Sequence, residues 1–149
     1  MGDALSRWLD AALRLEGENL NTYEIYSEIT EHFSLKPLLN GLIEGVKNHL
    51  KELEEWLEAS NPPEEFEPNS MSSLPEDPPD VPYSFDANMS YTDFLQMILT
   101  REKALVKIYE QLSSVAEDDD TAYFFARLAE DGRKQMSLAS SRYDLETMR

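Results

Sequence analysis

Four polar residues interrupt the apolar faces of predicted helices and could do chemistry together. Glu16, His49, Glu102 and Gln135 each fall near the middle of a stripe of apolar residues at helical spacing. A buried carboxylate is costly unless it is paired, hydrogen-bonded or bound to a metal, so two of them suggest a shared site. Carboxylate and imidazole groups also ligate iron, manganese and zinc. The four residues predict one polar layer; the alternative is four unrelated interruptions.

Two tyrosines lie on the same helical faces as the two glutamates. Tyr23 follows Glu16 by seven residues, and Tyr109 follows Glu102 by seven. Seven residues make about two helical turns, so each tyrosine shares the face of its glutamate. Either hydroxyl could donate to a core carboxylate. The alternative is that both are ordinary aromatic residues whose hydroxyls reach water.

Helical periodicity on both sides of a Pro-rich stretch indicates the elements that position these residues. The predicted helices cover residues 3–32, 38–59, 90–116 and 119–147. Pro37 marks the first break, because proline is tolerated near a helix start but not inside a helix. Ser90 is the predicted N-cap of the third helix. The run Asp118–Asp120 lies where carboxylates favour the start of the fourth. His32 is expected at the end of the first helix, where a cation suits the dipole.

Residues 60–90 form a Pro-rich acidic connection between the second and third predicted helices. Seven of the eight prolines lie between Pro62 and Pro82. A long irregular segment is unusual inside a compact domain, but a four-helix bundle with one long crossover contains such a segment. The sequence therefore predicts an all-α fold, in which residues 1–149 form a single four-helix bundle domain.

Charge and cysteine content exclude several classes of function. The chain has 149 residues, a net charge of −17 and no cysteine. An acidic chain is unsuited to nucleic acid and to anionic lipid. Without cysteine there are no disulfides, thiolate zinc sites, iron–sulfur centres or cysteine nucleophiles. Neither a membrane-spanning run nor a signal peptide is found, so a cytoplasmic protein without a membrane partner is expected.

The third and fourth predicted helices resemble those of the ferritin-like superfamily, in particular its rubrerythrin-like branch. The similarity lies in the segment from Tyr91 through Arg101–Leu105 to Tyr109, and in Phe125–Asp131. The acidic connection falls where that family has its crossover. The resemblance implies a ferritin-like four-helix bundle with a long crossover between helices two and three, and a homodimer.

The resemblance also implies an incomplete di-iron ligand set. Family members use one glutamate from each of two helices and a Glu-x-x-His pair from each of the other two. Glu16 and Glu102 correspond to the single glutamates, and His49 corresponds to the histidine of the first pair. The remaining ligand positions hold Val46, Gly132 and Gln135. A di-iron centre is therefore not expected, and Glu16, His49 and Glu102, with Gln135 as a weak oxygen ligand, could hold one divalent iron, manganese or zinc ion.

Three functions remain open after these observations. The first is a helical protein with a degenerate metal site and no catalytic activity, which acts through structure or interaction. The second is a metal-binding oxidoreductase that acts on oxygen or peroxide. The third is a bundle whose acidic surface and Pro-rich connection bind a basic protein. The residues alone leave open whether the chain is an enzyme.

Overall fold

Four α-helices make up most of the described chain. The structure is a computed structural model that describes residues 3–60, 77–79, 81 and 84–148. The helices are α1 Asp3–Ile29, α2 Lys36–Ser60, α3 Tyr91–Val115 and α4 Asp119–Thr147. The predicted all-α four-helix bundle is confirmed. No helix in the described part of the chain is both long and apolar enough to span a bilayer.

The break between α1 and α2 differs from the prediction by a few residues. α1 ends at Ile29 rather than at residue 32, and the hydroxyl of Thr30 accepts the backbone N–H of His32 at 3.1 Å. A side chain that accepts a hydrogen bond from a nearby backbone N–H in this way competes with the helix for that donor. A 3₁₀ turn, Phe33–Leu35, follows. α2 begins at Lys36, two residues early, because Pro37 fits the first turn of a helix.

His32 consequently lies outside the helix whose end it was predicted to occupy. Its ring stacks on Tyr91 with 4.5 Å between ring centroids. The expectation that His32 sits in the last turn of α1 as a favourable cation is wrong. Thr30 stops the helix first.

Side-chain caps fix where α3 and α4 begin, as the sequence predicts. The hydroxyl of Ser90 accepts the backbone N–H of Asp93 at 3.1 Å. Asp118 accepts the backbone N–H of Thr121 at 2.8 Å, and hydrogen bonds from Thr121 lower the pKa of the Asp118 carboxyl. Both residues satisfy amides that an uncapped helix would leave without a partner.

The helices pack in a ring in which every neighbouring pair is antiparallel. α1 packs against α2 and α3, and α4 packs against α2 and α3. Tyr26, late in α1, stacks on Phe94, early in α3, and Trp56, late in α2, stacks on Phe124, early in α4. α2 and α3 therefore point the same way. The end of α2 and the start of α3 therefore lie at opposite ends of the bundle, and the 25 residues of α2 span about 37 Å.

Described parts of the connection lie along the side of the bundle formed by α1 and α3. Val81 lies beside Leu15 of α1 and Ile108 of α3, and Phe85 packs on the second core cluster. The Phe85 ring meets Tyr26 and Phe94 edge-on, with centroids 6.4 Å and 6.3 Å away. Of the predicted 60–90 connection, residues 61–76, 80 and 82–83 lie outside the described residues.

The apolar core is divided into two clusters along the bundle axis. One contains Trp8 and Leu15 of α1 with Tyr109 and Leu112 of α3. The other contains Tyr26 with Phe94, Leu39 and Ala139. Between these two levels the helices bury polar side chains. These are Glu16, Asn19, Thr22, His49, Arg101 and Glu102.

Candidate functional site

The residues that join the candidate site come from all four helices. Glu16, His49 and Glu102 are 1%, 4% and 2% exposed, so the structure buries three of the four predicted layer residues. Hydrogen bonds link them to two tyrosines and one aspartate. We call this group the carboxylate–histidine cluster. Its members are Glu16, Tyr23, His49, Glu102, Tyr109 and Asp131.

His49 on α2 lies between two carboxylates. Its Nδ1 is 2.8 Å from Oε2 of Glu16 on α1, and its Nε2 is 3.1 Å from Oδ2 of Asp131 on α4. Burial lowers the pKa of His49, but the hydrogen bonds and charges of Glu16 and Asp131 outweigh it and raise the pKa to about 9. His49 is therefore an imidazolium at neutral pH, with each ring N–H donating to one carboxylate.

The two tyrosines bond the glutamates of the opposite helix. Tyr109 on α3 donates to Oε2 of Glu16 at 2.6 Å, and Tyr23 on α1 donates to Oε2 of Glu102 at 3.1 Å. Each tyrosine lies on the buried face, as the seven-residue spacing predicts. Because α1 and α3 are antiparallel and the glutamate–tyrosine spacing is the same in both, the tyrosine of each helix lies level with the glutamate of the other. Burial raises the pKa of both phenols well above the ordinary value, so both remain donors.

The surroundings of Glu102 favour its protonated form. Burial raises its pKa, and the nearby charge of Glu16 raises it further. The hydrogen bond from Tyr23 and the charge of His49 lower the pKa, but the net value is about 8. At pH 7 Glu102 therefore adds little charge, and the imidazolium of His49 pairs with the carboxylates of Glu16 and Asp131, the second of which also lies near Arg127.

Asp131 connects the cluster to the surface. Its side chain is 33% exposed, and Oδ2 also lies 3.4 Å from Nη1 of Arg127, which bonds Glu52 of α2. A surface pocket of 320 Å³ opens beside it between α2 and α4. The residues that line the pocket are Gly45, Asn48, His49, Lys51, Glu52, Glu55, Arg127 and Asp131.

Gln135 does not join the layer as predicted. It is only half-buried, and its amide packs on the backbone of Gly45 in α2. No hydrogen bond in the described part of the chain links it to the cluster. Asp131, one helical turn earlier on α4, provides the polar group instead, because its carboxylate reaches His49.

Gly132 sits in a space with no room for a side chain. A Cβ atom there would lie 2.8 Å from Cγ2 of Val106 on α3 and 3.8 Å from Oε1 of Glu102. Val106 therefore occupies the volume that a longer side chain at position 132 would need. Val46, which stands at another ligand position of the resemblance, is a buried apolar residue.

A second polar group lies beside the cluster on α1 and α3. Arg101 is 5% exposed, and its Nη1 donates to Thr22 at 3.0 Å and to Asn19 at 3.4 Å. Nε of Arg101 and Nδ2 of Asn19 are buried without a hydrogen-bond partner. Burial lowers the pKa of Arg101 below its ordinary value.

Sequence reasoning missed these residues because they lie on stripes next to the ones that predicted the polar layer. The second stripe of α3 runs Phe94, Ile98, Arg101, Leu105, Ile108 and Leu112, with steps of four and three residues. Corresponding stripes pass through Asn19 and Thr22 on α1 and through Asp131 on α4. A polar residue that interrupts any stripe with this spacing is the signal that could have found them.

Comparisons with protein-family models, curated proteins and solved structures found no match to this chain. The similarity to the ferritin-like superfamily therefore remains a prediction from the residues.

The donor set does not fit a pair of bridged metal ions. A histidine that ligates a metal uses one ring nitrogen for the ion and donates its other N–H to an outer partner. Both nitrogens of His49 already face carboxylates. No group of three or more histidine, aspartate and glutamate side chains within residues 3–60, 77–79, 81 and 84–148 is arranged to hold an ion.

Proposed function

We propose that this chain is a ferritin-like, rubrerythrin-like helical protein in which a hydrogen-bonded cluster stands in place of a metal centre. It has no catalytic activity and acts through its surfaces, as a structural or interaction protein. A cytoplasmic location is part of the proposal and can be checked by fractionating cells that express the chain.

Topology and residue placement support this proposal. Two antiparallel helix pairs follow each other along the chain, and α2 and α3 point the same way, which is the arrangement of bundles with one long crossover. The glutamates on α1 and α3 and the histidine on α2 converge at one level of the core, where the resemblance places metal ligands. Val46 and Gly132 occupy positions where bridging carboxylates would be expected.

The bonding of His49 carries the proposal. Both of its N–H groups donate to carboxylates, and Oε2 of Glu16 already accepts from His49 and Tyr109. A divalent ion would have to displace the proton of His49, whose pKa is raised to about 9. The cluster therefore satisfies its own charges and hydrogen bonds without an ion.

Metal content tests the proposal directly. The chain is purified from medium supplemented with iron, manganese and zinc, and metal per chain is measured by mass spectrometry. We expect only trace metal, and no rise in the unfolding midpoint when each ion is added to the purified protein, because an ion that binds the folded state stabilises it.

Variants at the cluster distinguish the possible results. One equivalent of metal that disappears in both Glu16→Ala and His49→Ala would contradict the proposal. Two irons per chain would show that the ligand assignment is wrong. Tyr123→Ser, which changes an exposed residue away from the cluster, is the control for handling and purity.

A metal-binding oxidoreductase acting on oxygen or peroxide is the second candidate, and the surface pocket favours it. The pocket of 320 Å³ reaches His49 and Asp131 from solvent and gives a small molecule a route to the cluster. For this candidate, Glu16, His49 and Glu102 would have to rearrange to hold a single iron, manganese or zinc ion, which would supply redox or Lewis-acid chemistry. Turnover of hydrogen peroxide by the metal-loaded chain, lost in His49→Gln, would favour this candidate.

A further inference from the structure

Arg101 is a buried cation without a counter-ion in the part of the chain that the structure describes. Its guanidinium lies between α3 and α1, and the residue is 5% exposed. Arginine keeps its proton in proteins, so titration does not remove this charge. Glu18 acts on Arg101 only as a nearby charge, and no ion pair joins Arg101 to a described carboxylate. An unpaired buried charge is costly, so an anion at this position would stabilise the fold.

Arg101 and its two hydrogen-bond partners on α1 retain donors that nothing accepts. Nε of Arg101 and Nδ2 of Asn19 are buried without a partner. The hydroxyl of Thr22 accepts from Nη1 of Arg101, and among the described residues it donates no hydrogen bond of its own. Oδ1 of Asn19 accepts from the same Nη1. The group therefore combines one positive charge with three unused donors, on residues that are at most 5% exposed.

An excess of donors beside a positive charge suits an anion better than a water molecule. A buried water needs acceptors for its two hydrogens as well as donors, and the side-chain oxygens of Asn19 and Thr22 already accept from Arg101. An anion accepts several hydrogen bonds, donates none and neutralises the guanidinium. A single negative charge balances Arg101, whereas a divalent anion would leave an uncompensated charge in the core.

A surface pocket on the same side of the bundle provides a route to this group. Its volume is 240 Å³. Its wall on α1 includes Leu15 and Glu18, which stand one helical turn before Asn19 and Thr22. Arg14 lines the same pocket and offsets the charge of Glu18, so the entrance does not repel an anion.

We infer that Arg101, Asn19 and Thr22 bind one small monovalent anion, of the size and charge of chloride, between α1 and α3. The anion neutralises Arg101 and accepts the three unused hydrogen bonds. The net charge of −17 repels anions from the rest of the surface, so anion binding by this chain reports a local site. This inference does not depend on whether the carboxylate–histidine cluster binds a metal.

Unfolding of the full chain at constant ionic strength tests this inference. Sodium chloride replaces sodium gluconate in steps, so the chloride concentration rises while screening of the surface charges stays the same. An anion that binds only the folded chain stabilises it. Each tenfold rise in chloride above its dissociation constant should therefore lower the unfolding equilibrium constant about tenfold. The same stability in chloride and in gluconate would overturn the inference.

Substitutions assign the chloride dependence to these residues. Arg101→Met removes the cation and should abolish the dependence. Arg133→Met is the matched control, because it removes an arginine whose side chain is 44% exposed on α4, and it should keep the dependence. Asn19→Asp provides a test that does not require the loss of Arg101, since it places a carboxylate where the unpartnered amide lies and should give a folded chain that no longer responds to chloride. A chloride dependence that persists in Arg101→Met or Asn19→Asp would overturn the inference.

Bromide in crystals of the full chain locates the ion and distinguishes it from water. Bromide carries the same charge as chloride and scatters anomalously, whereas water does not. Crystals grown in sodium bromide should show an anomalous peak within hydrogen-bonding distance of Nε of Arg101 and Nδ2 of Asn19. An ordered water at that position without anomalous signal, or bromide bound only at exposed basic residues, would overturn the inference.

Discussion

The two glutamates of the cluster differ in partner and in protonation, which limits the charge that the core buries. Glu16 faces the imidazolium of His49, whereas Glu102 faces the hydroxyl of Tyr23 and stays protonated because its pKa is raised to about 8. Two ionised carboxylates at one level of a core would repel each other. Protonation of Glu102 avoids that cost, and the imidazolium of His49 pairs with both Glu16 and Asp131. The two tyrosines therefore stabilise different species, although their positions on α1 and α3 are equivalent.

The two tyrosine hydroxyls should contribute unequally to stability. Tyr109→Phe removes a bond of 2.6 Å to the carboxylate paired with His49, and we expect it to lower the free energy of unfolding by about 1.5–3 kcal/mol. Tyr23→Phe removes a bond to a neutral acid and should cost about 0.5–1.5 kcal/mol. Urea unfolding at pH 7 measures both values. An equal or reversed order would contradict the assigned charge states.

Stability should fall as the pH rises from 5 to 9. The stabilisation from His49 is complete below its ordinary pKa of 6.5 and is lost as the pH rises through about 9. Glu102 acts in the same direction. Above its ordinary pKa of 4.5 the unfolded chain loses a proton that the folded chain keeps until about pH 8, so folding becomes less favourable. Each group adds a slope of up to about 1.4 kcal/mol per pH unit within its window.

Two substitutions distinguish the pH range in which Glu102 affects stability from the range in which His49 does. Glu102→Gln should flatten the slope between pH 4.5 and 8, and His49→Gln should flatten it between pH 6.5 and 9. Chemical unfolding at several pH values gives the slopes, which are compared with those of Tyr123→Ser as an exposed control. A wild-type free energy of unfolding that rises with pH over this range would show that the charge assignment is wrong.

The glycines within the helices differ in the space around them, and this difference allows the helix packing to be tested. Cβ atoms at Gly17 of α1 and Gly41 of α2 would meet nothing within 4 Å. Ala is favoured over Gly in a helix by about 1 kcal/mol. Gly17→Ala and Gly41→Ala should therefore each raise the free energy of unfolding by about that amount.

Gly132→Ala should have the opposite effect. Its Cβ would lie 2.8 Å from Cγ2 of Val106, which is stiff because it is branched at Cβ. Overpacking of this kind costs about 1–3 kcal/mol and outweighs the gain in helix propensity. Thermal unfolding of the three variants side by side provides the measurement. Stabilisation by Gly132→Ala would mean that α3 and α4 are less closely packed at this level.

Local signals predicted the helices well and predicted the site only in part. Ser90 and Asp118 begin their helices because capping depends on a few adjacent residues. The end of α1 was missed because Thr30 competes with the helix through a side-chain contact that periodicity does not reveal. Asp131 was missed for a different reason. Its role depends on the relative heights of α2 and α4, which no single helix encodes.

At the scale of the whole molecule, the net charge of −17 should make stability depend on salt. Like charges on a compact chain repel one another, and salt shortens the range of that repulsion. Raising sodium chloride from about 0.02 M to about 0.5 M should therefore raise the thermal unfolding midpoint. The measurement is repeated at several protein concentrations, because a contribution from association would make the midpoint depend on concentration. A midpoint that falls with salt would indicate that ion pairs such as Arg133–Glu110 dominate.

The close approach of Val106 to Gly132 determines which residue must be changed first if a carboxylate ligand is to be introduced at position 132. A glutamate at position 132 would be blocked while Val106 fills the space beside it. Val106 would have to be replaced by a smaller residue first, and that step alone leaves a cavity without any functional gain. A glutamate at position 132 therefore needs a second substitution, at Val106, to fit. An engineer who wishes to install the ligand should begin with the opposite helix.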